Sequence, residues 1–110
     1  MNKKYRLNKV LFNDVFKSGK ASHSDHFIIK FKKNSEQKTR IGISTSKKFF
    51  KGSVLRNRIK RQIRSIFQPI ATQIKNFDLV IIAKKEYNVN SFEKQKKELI
   101  SLIKKNNILN

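Results

Sequence analysis

Phe77-Asp78-Leu79-Val80-Ile81-Ile82-Ala83 is a continuous apolar run broken by a single acid. A strand wetted on one face alternates apolar with polar residues, whereas an unbroken run of strand length needs cover on both faces. The run therefore belongs in the middle of a sheet, and helices must be found to cover it. Upstream, after a break at Gly52-Ser53, a helix is predicted from Val54 to about Phe67, ending near Pro69 because proline disfavours helical geometry in the residue before it. On its wheel Leu55, Ile59, Ile63, Ile66 and Phe67 share one arc, and Asn57, Lys60, Arg61 and Arg64 occupy an adjoining arc roughly 40 to 140° from Arg56. Downstream, a last helix is predicted from a Ser91 cap, with Phe92, Leu99, Leu102 and Ile103 on one side and a frayed tail over Lys104 to Asn110.

The remaining elements precede these. His26 to Lys33 alternates as a strand, with Phe27, Ile29 and Phe31 on one side and Ile28, Lys30 and Lys32 on the other. After a polar loop from Asn34 to Thr39, a second strand is predicted from Arg40 to Lys48. It sets Ile41, Ile43 and Thr45 against Gly42, Ser44, Ser46 and Lys48. That second face is small and hydroxylated, a smooth floor for an extended chain of nucleotides. The first element is a helix from an Asn8 cap through Ser18, with Gly19 suited to a left-handed stop. Leu11 and Val15 form the centre of its apolar stripe, while Phe12 and Phe16 lie together on the flank, so one pair can face a core and the other a groove. The order is helix, strand, strand, basic helix, central strand, helix: one layer of sheet with helices against it, and a basic helix placed to join two parallel strands.

Charge narrows the partner. Net charge is +20 over 110 residues, and no acid occurs from Gln37 to Phe77, where Lys38, Arg40, Lys47, Lys48, Lys51, Lys60 and Lys75 accumulate. Four of the six arginines, Arg56, Arg58, Arg61 and Arg64, fall on the basic helix. A guanidinium grips phosphate in two-point geometry and stacks on bases, which a lysine point charge does not, so the cluster points to structured contact with nucleic acid. The other lysines, such as Lys94, Lys96, Lys97, Lys104 and Lys105, read as a solvated surface. With 37% hydrophobic residues the chain can build one core, and a single domain over 1–110 is expected. No apolar run approaches the roughly 20 residues of a bilayer span. The Met1 end carries no apolar stretch resembling a signal peptide, and zero cysteines exclude disulfides and thiolate zinc sites, so a cytoplasmic location is expected.

The pattern Ile41-Gly42-Ile43-Ser44-Thr45-Ser46-Lys47-Lys48, followed by Val54-x-Arg56-Asn57-Arg58-Ile59-Lys60-Arg61-x-Ile63-Arg64, resembles the bacterial ribonuclease P protein family. Arg6-Leu7, Phe12-x-x-x-Phe16-x-x-Gly19, the run Phe77 to Ala83 and Ser91-Phe92-Glu93 extend the resemblance over roughly nine tenths of the chain. It implies an α+β fold, an α-β sandwich of about four strands and three helices with a left-handed βαβ crossover through the basic helix, an exception to the usual hand. It also implies a protein that joins a catalytic RNA to remove the 5′ leader of precursor tRNA, one protein per RNA, with no further protein and no membrane. Magnesium ions would be bound mainly by the RNA, and the protein itself would supply neither catalytic residues nor metal ligands. Carried onto this sequence, Arg56, Asn57, Arg58, Lys60, Arg61 and Arg64 would contact the RNA subunit. Phe12, Phe16, Ile28, Lys30, Ser44, Ser46, Lys47 and Lys48 would line the leader groove. Two departures stand out. Lys30 replaces an aromatic found in many members, which would exchange a stacking contact for a phosphate contact. Phe49-Phe50-Lys51-Gly52-Ser53 is about one residue longer than the usual turn.

Other readings are weaker. His23, Asp25 and His26 read as loop rather than as a metal or acid-base site, and Asp14, Asp78 and Glu86 are scattered without a partner motif. A structural RNA binder such as a small ribosomal protein shares the charge and size but needs no leader groove. A self-sufficient metal-dependent nuclease would need a constellation of acids that the chain does not display.

Overall fold

The computed structural model describes residues 6–36, 38–74 and 76–108; Gln37, Lys75, the Met1 end and the last two residues of the expected tail lie outside them. Helix α1 (Lys9–Ser18) opens on Asn8, whose side-chain oxygen accepts from Leu11 N at 2.9 Å, the cap its sequence predicts. Strands β1 (Lys20–His23), β2 (Phe27–Lys33) and β3 (Arg40–Ser44) follow, then α2 (Ser53–Phe67), β4 (Phe77–Ala83) and α3 (Phe92–Lys105). The sheet order is β1-β2-β4-β3. β4 sits between β2, antiparallel, and β3, parallel, with α2 making the crossover from β3.

Alternation along β4 divides the molecule. Leu79, Ile81 and Ala83 face the main core, where Phe27, Ile29, Phe31 and Ile41 meet Ile59, Ile63 and Phe67 of α2 and Leu99 and Ile103 of α3. Val80 faces the other way, into a small cluster with Leu7 and Val15 that Leu11, Phe12 and Ile82 flank. Both faces of the run are covered from Asp78 to Ile81, as its unbroken hydrophobicity requires, while Ile82 stays half-buried.

Several boundaries depart from the sequence reading. β1 escapes periodicity because Lys-Ala-Ser-His is a short, polar edge strand with no buried side chain. Gly19 is extended (φ −72, ψ 157), not left-handed; glycine is needed because a Cβ there would come within 2.6 Å of Val15 O and 3.0 Å of Phe31 O. β3 stops at Ser44, and Lys47 and Lys48 lie in a turn in which Phe49 N and Phe50 N both donate to Ser46 O. Leu55, in the first turn of α2, is 36% exposed because the core begins at Ile59. Beyond Pro69 the chain continues through a 3₁₀ turn, Gln68–Gln73. Ser91 occupies the N-cap of α3 without a side-chain bond to it. The expected frayed tail is also corrected: α3 reaches Lys105, Asn106 Nδ2 donates to Leu102 O, and Ile108 is fully buried.

Three of the seven acids are tied down by partners distant in sequence. Asp78 receives Arg40 Nε at 2.8 Å and Nη2 at 3.0 Å, with Asn34 Nδ2 at 2.8 Å. Asp14 pairs with Lys32 at 2.8 Å. Glu98 of α3 accepts from Ser24 Oγ and from His26 N at 2.8 Å, with His26 Nδ1 at 2.7 Å, closing the β1–β2 turn onto α3. Burial acts to raise the Glu98 carboxyl, but the hydrogen bonds from Ser24 and His26 outweigh it and hold it below its ordinary 4.5. A depressed carboxylate stabilises the fold above its unfolded pKa and ceases to do so as pH falls through the folded value. Glu98→Gln is therefore expected to cost about 1 to 2 kcal/mol at pH 7. The gap to the unaltered protein should narrow once pH drops below that ordinary value, as read from urea midpoints; a gap constant with pH would count against the ionised role.

Candidate nucleic-acid interface

Register places the interface. Directly paired residues share a face, so the α1 side of the sheet carries three rows: Arg40–Asp78–Lys32, Gly42–Val80–Lys30 and Ser44–Ile82–Ile28. α1 lies over the middle row. Val15 is buried with Val80, and the Phe12 ring rests on Gly42, where a Cβ would stand only 2.4 Å from Phe12 Cδ2. Lys30 Nζ donates to Phe16 O at 2.8 Å and sits 4.0 Å from the Phe16 ring centroid. The third row, Ser44–Ile82–Ile28, has half-buried side chains only and remains uncovered as a groove floor.

Phe12 and Phe16 stack on one another, centroids 6.1 Å apart at 15°, and wall this floor; Phe16 is 40% exposed. Of the residues assigned to the groove, Phe12, Phe16, Ile28, Lys30 and Ser44 thus come together around one floor. Ser46, Lys47 and Lys48 sit at its end, in the turn after β3 rather than on a strand face. The Lys30 ammonium is held against an aromatic face, a favourable placement for the cation that leaves its remaining donors open.

α2 distributes its cations over more than one surface. Arg6, Lys60 and Arg64 line a hollow of about 180 Å³ with Phe12, Ile41 and Gly42, so the helix and the groove wall share Phe12 as a border. Arg64 Nε is buried there without a hydrogen-bond partner. Asn57, Arg58 and Arg61 are exposed. Arg61 borders a separate hollow beside Phe92. Arg56, by contrast, has a structural bond, Nη1 donating to Phe50 O at 2.9 Å. The helix is clamped from behind by Gln62, which accepts from Tyr87 Oη at 2.8 Å and donates to Val89 O at 3.0 Å; burial pushes the Tyr87 hydroxyl up to about 12, so it stays a donor.

Sequence reasoning missed Arg6 as a member of the Lys60–Arg64 hollow, because only the pairing of Leu7 N with Ile41 O at 2.9 Å brings that residue to α2. Arg40, one of the cations of the acid-free stretch, is bound to Asp78, the two side chains being 17% and 7% exposed. Among the described residues no group of three or more His, Asp or Glu side chains is placed to hold a metal ion. No helix among them is long and apolar enough to cross a membrane.

A stacked aromatic wall, a floor made of Ile28 and Ile82 with Ser44 where a hydroxylated face was expected, and an arginine-rich crossover helix on one α-β framework are features that can be compared with known proteins. The family model described as Ribonuclease P matches residues 1–107. The chain belongs to the ribonuclease P protein family. The ribonuclease P protein component of Syntrophomonas wolfei is 37% identical over 86% of this chain and 79% of its own length. That of Listeria monocytogenes is 38% identical over 99% of this chain and 93% of its own. The solved RNase P protein of Staphylococcus aureus superposes with a TM-score of 0.82 at 29% identity, covering 96% of this chain and 98% of that one. The mixed fold with four strands and three helices is therefore the fold of this family. These matches support the family reading and not the ribosomal alternative.

Gly42 gives the groove a separable test. Gly42→Ala is expected to push the Phe12 ring off the sheet, at about 1 to 3 kcal/mol of stability. Because that ring lies at the surface of the small cluster, the main core should stay intact. A variant that still folds should bind leader-bearing RNA more weakly; unchanged binding would show that Phe12 does not line the site.

Proposed function

We propose that this chain acts as the protein component of ribonuclease P, holding the catalytic RNA through α2 and the 5′ leader of precursor tRNA in the groove beside α1. The observation that carries this reading is the open row Ser44–Ile82–Ile28, walled by Phe12 and Phe16, directly next to the Arg6–Lys60–Arg64 hollow. Stacking on an aromatic is worth about 1 to 3 kcal/mol per base and tolerates any sequence, which suits leaders of variable sequence. The hollow offers phosphate the cationic side chains of Arg6, Lys60 and Arg64.

The donor set of α2 is cationic and amide, suited to RNA phosphates rather than to a metal ion. Magnesium would then be bound mainly by the RNA, where it would supply electrostatic stabilisation of the cleavage step. The protein contributes binding and orientation: α2 positions the catalytic RNA, the groove positions the leader, and the chain works as one copy per RNA in the cytoplasm without a further protein or a membrane. Losing leader contacts should then weaken precursor binding more than the chemical step.

The test is cleavage of a precursor tRNA at low magnesium by the matching RNA subunit, with and without this protein, beside a protein-only control. Cleavage at the mature 5′ end that needs both components supports the reading. No gain from the protein overturns it, and cleavage by the protein alone would make it a nuclease in its own right. If about five leader phosphates are neutralised, log affinity should fall against log salt with a slope near −3.5. A slope near zero would exclude phosphate contact.

A further inference from the structure

The turn between β3 and α2 contains two adjacent phenylalanines with opposite fates. Phe50 is 4% exposed and belongs to the main core, while Phe49 is 50% exposed. A single exposed aromatic needs no explanation by itself. This one is held in place. Its own N–H and that of Phe50 donate to Ser46 O at 3.3 and 2.9 Å, Lys48 N donates to Ser46 Oγ, and Arg56 Nη1 grips Phe50 O. Its side chain borders a cavity of about 330 Å³ floored by Ile28 and Ile82, two of the three residues of the uncovered groove row. Phe12 and Phe16 cover the neighbouring row, so Phe49 stands at the end of the same floor, beside Ile28 and Ser46 of the residues assigned to the leader.

We propose that Phe49 is a second base-stacking platform, taking one unpaired nucleobase of the leader into the cavity over Ile28 and Ile82. This rests on the groove reading above and extends it by one nucleotide site. Three observations favour a nucleotide over any other occupant. The volume lies at the lower end of small-ligand sites, room enough for one base together with its sugar. Lys48 Nζ lies 5.8 Å from the ring centroid, and the exposed Lys85 borders the cavity, supplying cations beside an apolar slot. Continuity with the open row provides the path by which the chain arrives. Glu86 is the one acid in the lining and disfavours a phosphate on its side, so the backbone must pass along the Lys48 side. Because the turn is already fixed, little ordering cost opposes binding.

The chain contains no tryptophan, so Phe49→Trp places a unique fluorophore at the platform. In holoenzyme reconstituted with the matching RNA subunit, Phe49→Ala is expected to weaken precursor tRNA binding about five- to a hundredfold. Mature tRNA binding and assembly with the RNA subunit should be unchanged, and Phe49→Trp should retain affinity and be quenched by precursor but not by mature tRNA. Phe12→Ala serves as reference. If Phe12→Ala loses precursor affinity while Phe49→Ala does not, the platform is refuted and the groove stands; if neither has an effect, both fall. Equal weakening of mature tRNA, or loss of RNA-subunit assembly by Phe49→Ala, also overturns the proposal, since the base would then not be the leader's.

Discussion

Alanine at both Arg58 and Arg61 is expected to lower affinity for the RNA subunit by roughly a hundredfold, at about 1.5 kcal/mol or more for each charge-assisted contact removed. These two are chosen because both are exposed on α2 and no intramolecular bond occupies either guanidinium among the described contacts. Arg56 would be a poorer probe, since its bond to Phe50 O confuses loop placement with RNA contact. The double variant should keep its urea midpoint and its discrimination between precursor and mature tRNA once saturating RNA subunit is supplied. Replacement by lysine should restore only part of the loss, because a point charge cannot reproduce two-point phosphate geometry. An affinity within twofold of the unaltered protein would remove the exposed side of α2 from the proposed interface.

The second large effect concerns stability. Asp78→Ala strands Arg40, whose side chain is only 17% exposed, and takes an acceptor from Asn34. Breaking one partner of such a pair costs about 3 to 5 kcal/mol. Urea denaturation should show that loss, and Asp78→Asn should recover part of it by keeping a hydrogen-bond acceptor. The bond ties β3 to β4 at the Arg40–Asp78–Lys32 row, two rows from the groove floor. Precursor affinity measured well below the melting range should therefore be nearly unchanged. A loss below about 1 kcal/mol would mean that water replaces the carboxylate.

How much of this was readable in advance depended on whether a residue's role is local. The run Phe77 to Ala83 announces a central strand through its own composition, and the spacing of Leu11, Phe12, Val15 and Phe16 announces a helix with two faces, since both signals are complete within a few residues. Spacing alone left Phe12 and Phe16 open to either core or groove; the family resemblance assigned them to the groove, and the structure stacks them at the surface with Phe16 exposed. β1 carries no such signal: an edge strand of polar residues looks like loop until its partner β2 is known. His26 and Glu98 lie 72 positions apart and Arg40 and Asp78 lie 38 apart, so neither pair leaves a trace in any local window. Gly19 was legible as suited to a left-handed stop, yet it is extended, because a crowded contact with Val15 O and a left-handed turn select the same residue. The turn Phe49 to Ser53 was legible as about one residue longer than the family's, but the exposure of Phe49 is decided by Phe50 taking the inward place.

The pairing of Leu7 with Ile41 has a consequence for the protein before it meets its RNA. A sheet ends in strands whose outer amide groups invite a strand from another molecule, and such contacts begin aggregation. Here the outer side of β3 is met by Arg6 and Leu7, while β1, at the opposite margin, is four residues long and begins with Lys20. A chain of +20 charge that exposes Phe16 and Phe49 is thereby left without a sheet margin, among the described residues, that recruits its own kind. Self-association through strand addition is disfavoured at both margins, and the aromatic groove stays available during the interval between synthesis and capture by RNA.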